Sequence, residues 1–387
     1  MSNTVSDLRH MRLALRLAQR ARGQTSPNPM VGAVLVRAGR VIGRGWHRQA
    51  GEPHAEIEAL RDAERRKEKV HGATLYVTLE PCCTHGRTPP CTEAILAAGI
   101  RRVVVAATDP NPKHAGRGFR LLSKAGVKVT HGALGDEAAR LNEAFNHWIV
   151  HRTPFVIVKA AMTLDGKIAT ASGESKWITG EAAREEGMKL RAGADAILVG
   201  VNTVLADNPS LTFRGQKSEA RSQKKTCLRR IVLDSQARTP LKSKVVSDEF
   251  SALTTIVVGN QAPAKRVAAL KQRVRVIQAP QTRDGRLNLR WLLRRLGHES
   301  ITSLLVEGGG EVNASFLSGG LAQRVVFFYA PKILGGSDAR RAVAGTGASS
   351  SPETLELVDV EWRRAGEDLM MTALVSEKAR IGQRVGT

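Results

Sequence analysis

Long apolar runs are missing from this chain: no stretch approaches the ~18 uninterrupted apolar residues of a membrane span. The apolar positions between Met1 and Arg22 are broken by Arg9, Arg12, Arg16 and Arg20, so a signal-peptide core is not expected and a cytoplasmic location is. Cysteine is scarce, with four in 387 residues, which excludes a disulfide scaffold. Aromatic residues are only 4% of the chain, which argues against the stacking platforms that grip single-stranded nucleic acid. Acidic residues are few as well: 36 stand against 59 Lys and Arg, for a formal net charge of +23. That balance favours anionic partners, whether nucleic acid, phosphorylated metabolites or an acidic surface, and does not choose among them. The segments Arg65-Arg66-Lys67, Lys224-Lys225 and Arg229-Arg230 read as solvated surface patches, and nucleic acid is not the expected partner.

What is there suits a self-sufficient globular protein, with 42% hydrophobic and 25% charged residues. Single cores stop growing near ~250–300 residues, so the length predicts two domains. Leu8, Met11, Leu15 and Ala18 recur at helical spacing, and a Ser26-Pro27-Asn28-Pro29 turn leads to the apolar run Val31 to Val36. A short strand is expected at Val41 and Ile42 and a helix over Ala55 to Arg66. Further strands are expected at Thr74 to Thr78, Arg102 to Ala107 and Val127 to Thr130, with helices near Thr92 to Ala98 and Gly118 to Ala125. This alternation predicts an α/β sandwich with helices on both faces of a sheet. After the polar stretch His151 to Pro154 the pattern restarts, which sets domains at 1–152 and 153–387. Strands are then expected at Phe155 to Lys159, Ala196 to Val199, Arg230 to Leu233, Thr255 to Val258, Ser303 to Val306 and Arg324 to Tyr329. The polar stretch Lys217 to Arg230 reads as a surface loop, and Cys227 within it as inert.

Three of the four cysteines crowd between Cys82 and Cys91. His54-Ala55-Glu56 opens one predicted helix, and Pro90-Cys91 opens another downstream of Pro81-Cys82. One histidine and two thiolates make three ligands, which is what a catalytic zinc needs if its fourth position is to accept water. Helix N-termini favour the thiolate form. Glu56, two residues beyond the histidine, can reach a water at the metal without being a ligand, the position of a proton shuttle. Histidine, glutamate two residues on, then proline-cysteine and a second cysteine form the zinc-deaminase signature. Here eight residues rather than two separate the cysteines.

That longer insert is itself informative. Thr78-Leu79-Glu80-Pro81-Cys82 followed by Thr84-His85-Gly86-Arg87-Thr88-Pro89-Pro90-Cys91 closely resembles the deaminase half of the bacterial bifunctional riboflavin-biosynthesis deaminase–reductase family. Pro27-Asn28-Pro29 with Val31-Gly32, Gly51-Glu52-Pro53-His54-Ala55-Glu56, and Asp109-Pro110-Asn111-Pro112 with Gly116-Arg117-Gly118 extend the match. The resemblance implies a cytidine-deaminase-like α/β/α sandwich, with His54, Cys82 and Cys91 holding Zn2+ and Glu56 catalytic. It implies substrate contacts at Asn28, His47, His85, Arg87, Thr88, Asp109 and Asn111, although Asn28 and Asn111 equally suit turns. Cys83 and His85 are not ligands on this reading, and Cys83 is a packing residue.

In the second half, Lys159-Ala160-Ala161-Met162-Thr163-Leu164-Asp165-Gly166-Lys167 is weak by itself. With Gly173-Glu174-Ser175-Lys176-Trp177-Ile178-Thr179 and the run Gly200 to Pro209 it resembles the reductase half of the same family, whose α/β fold is dihydrofolate-reductase-like. No G-x-G-x-x-G follows the first strand, so the usual dinucleotide fingerprint is absent. Val306-Glu307-Gly308-Gly309-Gly310, between a strand and an expected helix over Asn313 to Leu317, could instead bring backbone amides close to a phosphate, or be only a turn. The resemblance implies NADPH contacts at Ala161, Trp177, Thr203, Asp207, Ser235, Gly309, Gly310, Glu311, Val312, Asn313, Ala314 and Ser315. It implies substrate contacts at Ser175, Arg191, Leu211, Arg214 and Glu307. Arg191 and Arg214 have the chemistry to grip a ribose phosphate, or are surface arginines, and Trp177 also suits a core. Lys159, Asp165 and Glu307 are the candidate proton donors.

The reaction pair implied is hydrolytic removal of an amino group from a phosphorylated pyrimidine nucleotide, then reduction of its ribosyl group to ribityl. A zinc deaminase of nucleosides or nucleic acid with an appended binding domain is the alternative, favoured by charge and opposed by the insert before Cys91. A zinc-stabilised nucleic-acid-binding protein would need a fourth protein ligand and has no use for Glu56. The sequence leaves a homo-oligomer open.

Overall fold

Helix α1 (Val5–Gln19) begins where the sequence supplies a cap. The Thr4 hydroxyl accepts the Asp7 N–H at 3.1 Å, and the Asp7 carboxylate accepts the Thr4 N–H at 3.0 Å, closing a capping box. Asp7 is also buried, and accepts two N–H groups of Arg102 at 2.8 and 2.9 Å and the Tyr76 hydroxyl at 2.9 Å. One carboxylate therefore ties the start of α1 to two strands. The computed structural model describes residues 4–85, 89–176, 178–213 and 228–376, and the chain divides into two compact units, Met1–Arg152 and Thr153–Thr387.

In the first unit β1 (Gly32–Arg37) and β2 (Arg40–Trp46) form an antiparallel hairpin. There follow α2 (Ala55–Arg65), β3 (Thr74–Leu79), α3 (Cys91–Ala97), β4 (Arg102–Ala107), α4 (Arg117–Lys124), β5 (Lys128–His131), α5 (Gly135–Leu141) and α6 (Glu143–His151). The sheet order is β2-β1-β3-β4-β5, with β3, β4 and β5 parallel and β1 antiparallel to both neighbours. Alternate residues feed two cores. Ala55, Ala59, Ala63, Ile95 and Leu122 cover Leu35, Leu75, Val77 and Val103 on one face. Met11, Ala14, Leu15 and Ala138 cover Val34, Tyr76 and Val104 on the other. This is the α/β/α sandwich expected from the alternation.

Two glycines set how closely α2 lies on the sheet. A Cβ at Gly43 would stand 2.4 Å from the Ala59 carbonyl oxygen, and one at Gly45 2.3 Å from that of Ala55. Only glycine permits this approach, and it fixes the height of the helix start that carries His54 and Glu56.

The Asp7 cluster makes a prediction. Burial would raise the Asp7 carboxyl, but hydrogen bonds from Arg102, Thr4 and Tyr76 outweigh it and hold the carboxyl far below the usual carboxylate range. A depressed folded-state pKa contributes stability above the unfolded value, near ~3.9, that is lost as pH falls through the folded one. Asp7→Asn should cost on the order of 2–4 kcal/mol at neutral pH, the buried-pair cost discounted for the partly exposed Arg102. The difference from wild type should shrink below pH ~4 in chemical denaturation. An Asp7→Asn difference that persists undiminished at acid pH would remove this role.

The second unit is built on a nine-stranded sheet. Its elements are β6 (Phe155–Thr163), β7 (Lys167–Ala169), α7 (Glu181–Ala192), β8 (Ala196–Gly200), α8 (Val201–Asp207), β9 (Arg229–Leu233), α9 (Lys244–Ser247), β10 (Thr254–Gly259), α10 (Ala264–Lys271) and β11 (Arg275–Ala279). They continue with α11 (Leu289–His298), β12 (Ser303–Val306), α12 (Gly310–Ser318), β13 (Arg324–Ala330), β14 (Arg340–Arg341), β15 (Leu357–Ala365) and β16 (Asp368–Val375). The order is β11-β10-β9-β8-β12-β6-β13-β16-β15, parallel from β11 to β13 and antiparallel in the closing hairpin. The hairpin and α7 are elements the periodicity did not reveal.

One expectation is overturned. Arg229-Arg230 is not a solvated patch: Arg230 has no exposed surface, and its guanidinium pairs with Asp248 at 2.7 Å. The pair of arginines opens β9, so alternate residues point to opposite faces, and the second points into the protein.

Candidate active sites

The metal-type cluster of the first unit forms where two helix starts meet. His54 occupies the N-cap of α2 and Cys91 is the first residue of α3, while Cys82 lies just beyond the end of β3. His54 Nδ1 is 3.3 Å from Cys91 Sγ and 3.5 Å from Cys82 Sγ, and all three donor atoms lie within 4.8 Å of one another. The Cys91 amide N–H also donates to Cys82 Sγ at 3.3 Å. Residues 28 and 37 positions from His54 are thus brought together with it by the strand–loop–helix path between β3 and α3.

The charge balance of the cluster suits a cation. The hydrogen bond with Cys91, then that with His54, pulls the Cys82 thiol down to about 4 against the opposing effect of burial. Sharing a proton with Cys82, together with burial, pushes Cys91 up. His54 is raised, first by its hydrogen bond to Cys82. A thiolate, a second thiol and an imidazole crowded together this way are the soft donor set that Zn2+ takes, at the three-ligand count that leaves one tetrahedral position for water. Among the described residues no other group of three such side chains is so arranged.

Glu56 stands in the first turn of α2, buried at 3% exposure. Burial, followed by the charge of Cys82, raises its carboxyl to about 7; a divalent cation in the cluster acts in the opposite sense. His47 lies edge-on to His54, with ring centroids 5.4 Å apart. His47 Nδ1 is 3.1 Å from the Pro53 carbonyl oxygen, to which it must donate, so its Nε2 accepts from Asn28 Nδ2 at 3.0 Å. That chain assigns the neutral tautomer, and burial lowers the pKa of the ring in agreement. Asn28, predicted as either a turn residue or a contact, thus has its side chain joined to the wall of the cluster.

The remaining predicted contacts of this unit are less uniform. Asp109 is buried, and burial first of all raises its carboxyl. Its Oδ1 accepts the Asn111 N–H at 2.8 Å, and Asn111 Oδ1 accepts the Lys113 N–H at 3.1 Å, so Asn111 shapes the turn. His85 has a side chain 74% exposed and 3.7 Å from Glu93. Arg87 and Thr88 lie outside the described residues. Cys83 Sγ is 3.6 Å from His114 Nδ1, a contact the packing expectation did not include. Sequence reasoning also passed over Glu80. It is buried and accepts the amides of Asp109 at 3.3 Å, Gly116 at 2.9 Å and Gly118 at 2.8 Å, pinning the whole Asp109 to Gly118 loop. Its signal was present in the motif before Pro81, where no partner for it could be read.

The second unit holds a cleft of about 1350 Å³ at the carboxyl ends of its parallel strands. That exceeds the ~300–1,000 Å³ of a typical small-molecule pocket and leaves room for a cofactor together with a substrate. Ala161, Thr203, Asp207, Ser175, Leu211, Glu307 and Gly309 to Val312 all line it. Ser175 Oγ donates to Asp207 Oδ1 at 3.2 Å, joining a predicted substrate residue to a predicted cofactor residue. Asn313 and Ser315 turn elsewhere: the Asn313 amide donates to the Ala342 carbonyl at 2.8 Å, and the Ser315 hydroxyl to that of Glu311. Ala314 is buried, and Ser235 lies just past the end of β9, its carbonyl accepting the Gly259 N–H at 3.0 Å. Trp177, Arg214 and Cys227 lie outside the described residues.

The glycine triplet resolves into distinct jobs. A Cβ at Gly308 would meet Val312 at 2.4 Å, and one at Gly310 the Arg341 carbonyl oxygen at 2.3 Å, whereas one at Gly309 meets nothing within 4 Å. The outer two glycines allow α12 to pack, and Gly309 presents open backbone beside a helix N-terminus. This fits a dinucleotide phosphate.

Beside it, Arg191 donates to both oxygens of Glu307 at 2.9 Å and through its third nitrogen to the Thr212 carbonyl at 2.9 Å. Arg191 is therefore neither a surface arginine nor a free phosphate fork; its guanidinium is largely occupied by its own protein. Lys159 Nζ lies 3.8 Å from Glu307 Oε2. Burial would raise Glu307, but Lys159 and Arg191 overcome it and hold the carboxyl at about 2. Asp165 is engaged in structure, accepting the amides of Leu334 and Gly335 at 3.1 and 2.8 Å and the Thr163 hydroxyl at 2.6 Å.

Comparison with known proteins gives a family match over each unit. Residues 4–107 match the cytidine and deoxycytidylate deaminase zinc-binding region, and residues 154–371 match the RibD C-terminal domain. The chain is 42% identical over 374 residues to the riboflavin biosynthesis protein RibD of Actinobacillus pleuropneumoniae, covering 96% of each. RibD of Acinetobacter baumannii superposes with a TM-score of 0.83 at 34% identity, over 96% of this chain and 99% of that one. The diaminohydroxyphosphoribosylaminopyrimidine deaminase/5-amino-6-(5-phosphoribosylamino)uracil reductase of Thermotoga maritima superposes with a TM-score of 0.79, also at 34% identity, over 96% and 99%. No described helix is long and apolar enough to cross a membrane.

Proposed function

The chain belongs to the RibD family of bifunctional riboflavin-biosynthesis enzymes, and from that premise we propose that its two units act in succession on one phosphorylated pyrimidine nucleotide. The first removes the pyrimidine amino group by hydrolysis, and the second reduces the ribosyl group of the deaminated product to ribityl with NADPH. The observation that carries this reading is the His54–Cys82–Cys91 cluster with buried Glu56 beside it, in a chain that also holds the Lys159–Glu307–Arg191 cleft.

In the first unit His54, Cys82 and Cys91 hold Zn2+, which when bound brings the pKa of a water into the neutral range. Glu56 takes the proton of the attacking water as oxygen bonds to the ring carbon, then passes it to the departing amino nitrogen. The carbon–nitrogen bond breaks and ammonia leaves. Asn28 and His47, linked to each other and to the loop before α2, give the pocket a fixed donor and acceptor pattern for the pyrimidine edge. Two cysteine ligands that must stay unoxidised to hold the metal suit a reducing compartment, so the proposed location is the cytoplasm.

In the second unit NADPH, when bound, supplies a hydride to the anomeric carbon. Opening the sugar then requires a proton on the ring oxygen. Glu307, held ionised by two cations, is a poor donor, and Asp165 is committed to the loop amides. Lys159 is the group the geometry leaves for this role, with Glu307 orienting its ammonium. The preference for NADPH over NADH is supported by Arg238, an exposed cation whose guanidinium donates at 2.9 Å to Oδ1 of the cleft-lining Asn202 and so lies within reach of the additional phosphate.

The test is to supply purified protein with the diaminopyrimidine nucleotide and follow ammonia and NADPH absorbance together. Ammonia should appear with or without NADPH, and NADPH should be oxidised only when the nucleotide is present, with NADH a poorer reductant. Ammonia without any NADPH oxidation would remove the reductase, and neither signal would remove the whole reading.

A further inference from the structure

One fully bonded charged group among the described residues of the second unit lies outside every role given above. Arg230 has no exposed surface, and all five of its N–H groups are used. Nε donates to Thr254 Oγ1 at 2.9 Å. One terminal nitrogen donates to Asp248 Oδ2 at 2.7 Å and to the Ser210 carbonyl at 2.9 Å, the other to Asp248 Oδ1 at 2.7 Å and the Val245 carbonyl at 3.3 Å. Asp248 is itself oriented by the Phe250 N–H, which it accepts at 3.0 Å.

The Ser210 carbonyl is the bond with functional reach. The next residue, Leu211, lines the reductase cleft and has φ +52°, a left-handed conformation that a leucine adopts only when its surroundings impose it. Asn208, three residues earlier, is also left-handed at φ +42°, and its Oδ1 accepts the Lys244 N–H at 2.8 Å. On the far side of Leu211, Thr212 gives its carbonyl to Arg191, the residue that grips Glu307. Two arginines, Arg230 fully buried and Arg191 half-buried, therefore bracket the strained residue. Arg230 ties it to the α9 segment, and Arg191 ties it to Glu307, the carboxylate beside Lys159. A buried ion pair adds little net stability compared with apolar packing, whereas a fully satisfied polar network fixes one conformation.

We propose that Arg230 is a positioning residue of the reductase: by holding the Ser210 carbonyl it sets Leu211 and the Pro209 to Thr212 wall against Glu307, and so shapes the site for the sugar side of the pyrimidine nucleotide. The inference rests on the second-unit cleft being the reductase site. It assigns Arg230 no contact with substrate or cofactor.

The deaminase activity of the same chain is the control. Arg230→Lys keeps a cation opposite Asp248 but cannot also reach Ser210, Val245 and Thr254; Arg230→Met removes the fork; Asp248→Asn weakens it from the other side. In Arg230→Lys and Asp248→Asn, kcat/KM for the ribosyl substrate should fall on the order of 10–100-fold, the scale of a misplaced binding wall. KM for NADPH and the rate of ammonia release should stay at wild-type values. Arg230→Met should be at least as impaired, and if it does not fold the other two variants decide. Wild-type kinetics in a folded Arg230→Lys variant would overturn the proposal, as would a loss shared equally by substrate and NADPH constants, the mark of a merely structural role. Absence of nucleotide-dependent NADPH oxidation in the wild type would sink the reductase reading and this inference with it; a competent wild type with unaffected variants sinks this inference alone.

Discussion

Glu56→Gln is expected to lower ammonia release by about 10²–10⁴-fold, the usual contribution of a positioned acid–base group, while zinc stoichiometry and the reduction of added deaminated nucleotide stay at wild-type values. The substitution keeps the size and buried position of the side chain, 3% exposed in the first turn of α2, and removes only its ability to carry a proton. None of the three donor atoms of the cluster belongs to Glu56, so metal content should not change. The measurement pairs metal analysis of the purified variant with ammonia release at saturating nucleotide. Loss of zinc would make Glu56 a ligand, and a rate within a few-fold of wild type would leave the shuttle without a role. Either result would leave Asp109, buried like Glu56 and electrostatically coupled to Cys82, as the carboxyl to test next.

The second large effect concerns Lys159. Lys159→Met should reduce nucleotide-dependent NADPH oxidation by about 10²–10⁴-fold with ammonia release intact. Lys159→Arg separates proton donation from charge. A guanidinium restores a cation near Glu307 but does not give up a proton at accessible pH. If Lys159 donates the proton, the arginine variant should be nearly as slow as the methionine one. If it only balances Glu307, which it approaches to 3.8 Å, Lys159→Arg should recover most of the rate. Single-turnover measurement with cofactor prebound is the decisive readout, because it excludes product release as the slow step. Near-wild-type turnover in Lys159→Arg would refute the donor assignment.

These two predictions differ in how far the sequence alone could have carried them. His54, Cys82 and Cys91 were legible because metal chemistry limits the donor types, and because two of the three are marked by a proline and a helix start. Glu56 followed from its offset of two residues from the histidine. Lys159 and Glu307 carried no such mark. Their partnership depends on β6 lying beside β12 in the sheet, an adjacency that joins segments far apart in the chain. The same holds for Arg191, 116 residues from Glu307, which sequence chemistry offered as a phosphate fork and which the fold spends on a carboxylate and a loop carbonyl.

By itself, then, the sequence determined the two alternating α/β patterns and the His54–Cys82–Cys91 cluster, and offered Glu56 as the proposed shuttle, since periodicity and donor chemistry are local properties of the chain. Only the tertiary structure decided which charges are buried and with whom. Arg229 and Arg230 are adjacent and chemically alike, yet one is exposed and the other has no surface at all. A strand turns successive side chains to opposite faces, and whether the inward one is tolerable depends on finding Asp248, Thr254 and the carbonyls of Ser210 and Val245 already in place. Scarcity told the same story at both levels. The few cysteines located the deaminase site because so little else could bind a metal, whereas the many arginines located nothing until the strand order showed which of them were inside.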